Sequence, residues 1–214
     1  MAIYVDGSAM KGRAGWAFII YLVEDQVYTM LYAEWGPVVV NTVHAEFCGA
    51  EDLTNNIAEG TARYRAHTWS AVRLPPQWPQ LVRFDSTLAQ DVSSGRYMAR
   101  TSRELAGRMR GAYSKHHRIT NTIAELHVRG HSGEIGNEEV DEYAKKGTDL
   151  TSSTSWVVEP WPKELLLAKL PGDDADLLPP SRCSRREMRR RNRARLSPKR
   201  TIGNGSPAGP RSAT

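Results

Sequence analysis

Two apolar segments open the chain, Ala2 to Ser8 and Gly15 to Val23, and each reads as a strand because few polar residues interrupt it. The gap MKGRA between them is turn-sized, so the pair predicts an antiparallel hairpin. Gln26 to Val40 supplies a third strand, in which Tyr28, Met30 and Tyr32 alternate with Thr29, Leu31 and Ala33. Asn41 to Leu53 follows no clear period and fits a loop, a helical turn or a strand extension. From Ile57 to Val72 the period lengthens. Ala58, Ala62, Ala66 and Trp69 form a helical stripe behind the polar caps Thr54, Asn55 and Asn56. Gly60 weakens that helix by roughly 1 kcal/mol relative to alanine.

Pro75, Pro76 and Pro79 end the helix, and Leu81 to Phe84 is a fourth strand that stops at Asp85-Ser86. Leu88 to Val92 makes a short helix. Ala99 to Tyr113 makes a longer one, with Leu105, Ala106, Met109 and Tyr113 on one face and Arg96, Arg100, Arg103 and Arg110 on the other. Thr122 to Val128 is a fifth strand, with Ile123, Leu126 and Val128 filling the core. A last helix opens at about Gly136 or Asn137. Asn137 caps it, Glu138 and Glu139 sit at the positive end of its dipole, and Val140, Tyr143 and Ala144 face inward. The order predicts an α/β fold, a five-stranded mixed sheet flanked by helices.

Length and composition add a second part. A chain of 214 residues, 40% of them hydrophobic, holds one domain with a real core plus a tail. The formal charge of +5 conceals an asymmetry: up to residue 158 there are 16 Lys and Arg against 18 Asp and Glu, a net of −2, which leaves +7 for the remainder. Ser181 to Arg200 carries ten basic residues and one acidic, with almost nothing apolar, and is expected to be disordered alone and attractive to polyanions. The predicted division is a domain over residues 1–150 and a Pro/Gly/Ser- and Arg-rich disordered tail over 151–214. A nuclear localisation signal, a nucleic-acid tether and translated noncoding sequence all remain open for the basic run. No apolar run reaches membrane-spanning length, and the start MAIYVDGS has no secretory pattern. Cys48 and Cys183 lie far apart and read as reduced thiols, so the expected location is intracellular, nucleus or cytoplasm.

The candidate chemistry lies at element ends. Asp6 ends the first strand, Glu59 opens the first helix, Asp85 ends the fourth strand and Asp141 sits in the last helix. Carboxylates from four elements share a pocket only if a cation neutralises them, since like charges at a few ångströms raise one another's pKa. Oxygen donors of this kind select Mg²⁺, with Mn²⁺ as a substitute. Two such ions clamp the attacking and leaving oxygens of a phosphodiester. His44, His67, His116, His117 and His127 show no zinc-ligand spacing and read as ordinary histidines.

YVDGS at 4 to 8, TNNIAE at 54 to 59, FDS at 84 to 86 and VRGHSGEIGNEEVDEYA at 128 to 144 resemble the four motifs of type 1 ribonuclease H, in order and on the expected elements. The resemblance spans roughly residues 2 to 148. DGS or FDS alone recurs by chance, but the last motif is specific. The resemblance implies a ribonuclease H-like fold and a metal-dependent endonuclease that hydrolyses the RNA strand of RNA/DNA hybrids. It makes Asp6, Glu59, Asp85 and Asp141 the ligands of two Mg²⁺ ions. Asp6 would bridge both, with Asp141 on the water-activating side and Glu59 and Asp85 on the other. His131 matches the family's mobile histidine, which assists proton handling and product departure. Asn55 and Asn56 match the asparagines that read ribose hydroxyls in the minor groove. Gly7, Ser8 and Ser86, with Arg96, Arg100 and Arg103, complete the implied nucleic-acid contacts.

The segment FCGAEDL before TNNIAE resembles ribonuclease H domains of retrotransposon polyproteins. The implied origin is a retroelement, with the chain a monomer or a piece of a larger reverse-transcriptase polyprotein, and no membrane partner. A second class is a catalytically inactive hybrid-binding or structural domain of the same fold. The intact carboxylate quartet argues against it. A transposase or integrase would use three acidic residues and lack the G-H-S-G loop.

Overall fold

The computed structural model describes residues 1–120, 122–130 and 133–157. The first three strands form a meander: β1 (Ala2–Met10), β2 (Arg13–Glu24) and β3 (Val27–Pro37). Both connections are two-residue turns with positive φ at both positions, Lys11-Gly12 and Asp25-Gln26, the geometry whose twist matches that of paired strands. Asp6 therefore does not end β1. Gly7 to Met10 carry the pairing with β2 onward to the turn.

α1 (Asn55–Arg73), β4 (Gln80–Phe84), α2 (Thr87–Ser94), α3 (Arg103–Ile119), β5 (Ile123–His127), α4 (Ile135–Gly147) and β6 (Thr154–Val157) follow in order. The sheet runs β5-β4-β1-β2-β3-β6, with the β1–β4 and β4–β5 pairs parallel and the other pairs antiparallel. It has six strands where five were expected. The additional strand comes from the stretch assigned to the tail, and it pairs with Tyr32 to Trp35 of β3. All of its residues are exposed, so no buried face marked it in the sequence. The remainder of the expected tail, with its basic run, lies outside the described residues. No helix among the described residues is long and apolar enough to cross a membrane.

β1 and β2 read as continuous apolar runs because both faces of the sheet are covered here. Ile3, Val5, Trp16, Phe18 and Ile20 pack with Ala58, Ala62, Ala66, Leu105 and Met109 of α1 and α3. The alternate residues Ala2, Tyr4, Ala17, Ile19 and Tyr21 pack with Val140 and Ala144 of α4. Gly60 makes room for α3: a Cβ there would stand 3.1 Å from Met109 Sδ. Asn41 to Leu53 is a loop with turns, in which Cys48 is a buried free thiol.

Three local expectations are corrected. α3 starts at Arg103, not Ala99, because Ser102 takes a left-handed φ of 47° and is held by Glu51: its N–H donates to Glu51 Oε2, and its Oγ accepts from Glu51 N. Arg96 and Arg100 thus precede the helix. Leu126 is 44% exposed because it lies on the face of edge strand β5 away from α1 and α3, whereas Val128 is buried. α4 starts at Ile135 with Glu134 at the cap position, and Asn137 is buried inside the first turn. Glu134 is drawn to the sheet instead, accepting from Tyr4 Oη at 2.6 Å and pairing with Arg83.

Candidate active site

Sheet register brings the first two carboxylates together. β1 and β4 run parallel with Tyr4 opposite Arg83 as the last pair, and Asp6 and Asp85 each lie two residues further on. They stand side by side where the parallel pairing of β1 and β4 gives out, Asp6 within β1 and Asp85 just past the end of β4, near the carboxyl edge where sites form in an open α/β sheet. Glu59 comes from the first turns of α1, which press on β1 so closely that a Cβ on Gly7 would lie 2.1 Å from Glu59 N. Only glycine fits between Asp6 and that helix. Oxygens of Asp6, Glu59 and Asp85 all lie within 4.8 Å of one another.

The electrostatics agree with a cation site. Burial pushes the Asp6 carboxyl up to about 8, and the Asp85, Asp141 and Glu59 charges add to the shift while the Gly7 N–H opposes it. Burial likewise raises Glu59 to about 7, with Asp85 adding and hydrogen bonds from Ser86 and Asn55 opposing. Three crowded, partly buried acids made of hard oxygen donors fit a divalent cation of the Mg²⁺ type, and the cluster accounts for one ion.

Asp141 is held close by. Tyr21 Oη donates to Glu139 Oε2 at 2.5 Å, and Glu134 is tied to Tyr4, so α4 is fixed against the sheet at two points. The Asp141 charge reaches Asp6, yet Asp141 is outside the converging triad and accepts from Lys145 Nζ at 2.6 Å. His131 lies outside the described residues.

The remaining expected residues divide. Asn55 Nδ2 donates to Glu59 Oε1 at 2.7 Å, and Ser86 Oγ caps α2 by accepting from Ala89 N at 3.2 Å. Both therefore belong to the carboxylate site. Gly7 is buried and Ser8 half-buried beside it on β1. Asn56 is exposed and lines a cavity of about 350 Å³ with Ile57, Leu88, Tyr97 and Arg100. Arg100, Arg103 and Arg110 line an adjoining groove with Tyr97 and Met98, while Arg96 pairs with Asp91 at 2.8 Å.

Sequence reasoning missed a second polar cluster one helical turn away. Arg63, 1% exposed, donates through Nη2 to Glu125 Oε2 at 2.6 Å and to Gln90 Oε1, and through Nε to Ser93 Oγ at 3.3 Å. Its guanidinium lies 4.8 Å from the centre of the Phe84 ring. Nη2 also approaches His67 Nε2 at 3.4 Å; His67 Nδ1 is 2.9 Å from His116 Nδ1, and His116 Nε2 is 2.8 Å from Gln80 Oε1. The Gln80 carbonyl only accepts, so His116 carries its proton on Nε2, and His67 donates through Nδ1 and accepts at Nε2. The chain of donors runs Arg63, His67, His116, Gln80 with both imidazoles neutral. Burial, then the Arg63 charge, hold His67 well below its ordinary value, and burial lowers His116 to about 4. His67 and His116 are buried, hydrogen-bonded groups, and neither belongs to a metal-type cluster among the described residues. The usable signal was the spacing of Glu59, Arg63, His67 and Ser70, one polar line beside the alanine stripe.

No protein-family model matches the chain, and no curated protein matches it. Among solved structures, a foamy viral protease-reverse transcriptase in complex with RNA/DNA hybrid is similar over 69% of this chain and 20% of that one, at 16% identity and a TM-score of 0.51. LC11-RNase H1 in complex with RNA/DNA hybrid aligns over 69% of this chain and 96% of that one, at 19% identity and a TM-score of 0.49. RNase H1 from the halophilic archaeon Halobacterium salinarum NRC-1 aligns over 69% and 96%, at 17% identity and a TM-score of 0.44. The architecture is ribonuclease H-like: a mixed sheet with α1 and α3 on one face and α4 on the other. Its acidic triad is a group of carboxylates with the spacing to hold a metal ion.

Proposed function

We propose that the chain is a type 1 ribonuclease H, a metal-dependent endonuclease hydrolysing the RNA strand of RNA/DNA hybrids. The observation that carries this reading is the register-matched pair Asp6 and Asp85, joined by Glu59 within 4.8 Å, on three of the four motif segments. Asp6, Glu59 and Asp85 hold the cation, and Asp141 on α4 supplies the carboxylate for a second. Bound divalent ions of this class activate water and stabilise charge on the attacking and leaving oxygens.

The protein's own groups orient the substrate. Asn55, exposed at the start of α1, steadies Glu59 in the free enzyme and turns with Asn56 toward ribose 2′-hydroxyls of the hybrid, which separates RNA from DNA. Arg100 and Arg103 with Tyr97 receive the other strand through phosphate neutralisation. His131 moves protons and assists product departure. The chain derives from a retroelement and works inside the cell as a monomer or within a larger reverse-transcriptase polyprotein.

The test incubates purified protein and Mg²⁺ with labelled RNA/DNA hybrid, double-stranded RNA and double-stranded DNA. Internal cuts confined to the RNA of the hybrid are expected. Binding of hybrid without cleavage would replace this reading with an inactive hybrid-binding domain, and cleavage of duplex DNA would place the chain among DNA nucleases.

A further inference from the structure

We propose that Arg63 is the positioning residue of the carboxylate site, setting the separation of Glu59 and Asp85 that a divalent cation requires; this rests on the metal-dependent reading above. Arg63 lies four residues after Glu59, on the same side of α1 and one turn deeper. Its guanidinium ties α1, which carries Glu59, to the elements that flank Asp85. It binds Gln90 and Ser93 of α2, whose cap Ser86 follows Asp85, and Glu125 of β5, and it covers Phe84, the residue before Asp85. Through His67 and His116 the same chain reaches Gln80 at the opposite end of β4. Strand β4 is therefore gripped at both ends from α1. Glu59, Asp85, Ser86 and Arg63 adjoin one another around a crevice too narrow for a water, and Arg63 Nη1 has no hydrogen-bond partner among the described residues.

Stability alone does not account for these groups. Well-packed apolar residues of similar volume commonly replace a buried ion pair at no cost, so the Arg63–Glu125 pair has no advantage as mere filling. A planar fork with fixed donor directions offers a defined spacing between three elements, which neither a methionine nor the point charge of a lysine reproduces. Groups that orient metal ligands without touching the metal contribute about 10- to 100-fold in metal affinity or activity.

The deciding variant is Arg63→Met/Glu125→Gln, which leaves the net charge unchanged. Mn²⁺ titration by electron paramagnetic resonance is expected to show affinity weakened about 10- to 100-fold with a cooperative melt retained. At fixed subsaturating Mg²⁺, kcat on hybrid falls while KM for hybrid stays at the wild-type value, and added metal restores kcat. Arg63→Lys gives a smaller loss of the same kind, and it decides the matter if the double variant does not melt cooperatively. A folded variant with wild-type Mn²⁺ affinity overturns the proposal. Wild-type protein that binds Mn²⁺ but leaves hybrid intact overturns the proposed reaction only, since the Mn²⁺ titrations still decide on Arg63. Wild-type protein that binds no Mn²⁺ overturns both.

Discussion

Helix α1 carries two buried polar clusters a single turn apart, and they handle charge in opposite ways. Around Arg63 the guanidinium has a carboxylate partner, and the two imidazoles are neutral and hydrogen-bonded in one direction from Arg63 to Gln80. Around Glu59 three acids converge with no cation among the described residues that meets all of them, and two of them hold their protons near neutral pH. The first cluster balances its charge as folded, leaving only Arg63 Nη1 without a partner among the described residues. The second gathers like charges that a positive ion from outside would offset, and that difference marks the candidate binding site more clearly than the acids alone.

The sharpest way to break the comparison is to remove the charge at its centre. Asp6→Asn is expected to lower hybrid cleavage by about 10³-fold or more, the several kcal/mol that a lost ligand withdraws from metal-assisted charge stabilisation. In the absence of divalent cations the same variant melts higher than wild type at pH 8, because one of three mutually repelling acids is gone. Glu51→Gln and Asp52→Asn leave the cleavage rate near wild type, since Glu51 serves Ser102 and neither belongs to the converging triad. Retention of more than a few per cent of activity by Asp6→Asn, or equal losses at Glu51 and Glu59, would mean that the wrong acids have been chosen.

The two clusters should also separate by pH. His116, lowered from 6.5 to about 4, stays unprotonated in the folded protein where the unfolded chain takes up a proton, so it stabilises above pH 6.5 and that contribution is lost as pH falls toward 4. His67 acts in the same direction. Asp6 and Glu59 do the reverse without metal. Their folded values of about 8 and 7 exceed the ordinary 3.8 and 4.5, so their contribution is fully present at low pH and is lost as pH rises through 7 to 8. Above pH 6.5 the acids act at up to about 1.4 kcal/mol per pH unit for each group protonated in the folded state alone, opposed by the single Met1 amine, which burial lowers from 8.0. Melts in chelator should therefore weaken from pH 6.5 to 8.5, and Mn²⁺ should flatten that limb. A chelated protein with a flat profile over this range would show that burial and mutual repulsion do not raise these acids.

The carboxylate cluster was legible in the sequence and the arginine cluster was not, for a physical reason. Asp6, Glu59 and Asp85 sit at positions where strands and helices begin or diverge, within short motifs of defined chemistry. Arg63 and His67 sit mid-helix among alanines, where charged side chains usually point to solvent. Here Ala58, Ala62 and Ala66 are so small that α1 lies close to the sheet, and the larger side chains beside them are buried with it. Nor does one strand's composition reveal that Glu125 faces inward while Leu126 is exposed, because β5 is covered on one face only. β6 was hidden for the related reason that it buries nothing.

Asp141 is intermediate between the two clusters, which gives the smallest test. Its charge is felt at Asp6, yet it has an internal partner in Lys145, four residues on. That lysine is largely exposed, and an i,i+4 pair on a helix surface is worth about 0.3–0.5 kcal/mol. Lys145→Met should therefore leave the melting temperature nearly unchanged. It also removes the cation that competes for the Asp141 carboxylate, so Mn²⁺ binding is expected to tighten by no more than about twofold, the affinity equivalent of such a pair. Parallel Mn²⁺ titrations of wild type, Lys145→Met and Asp141→Asn read this out. Tightening in the lysine variant with weakening in the aspartate variant would bring Asp141 into the metal site. Unchanged affinity in both would leave it as half of a surface ion pair and confine the site to Asp6, Glu59 and Asp85.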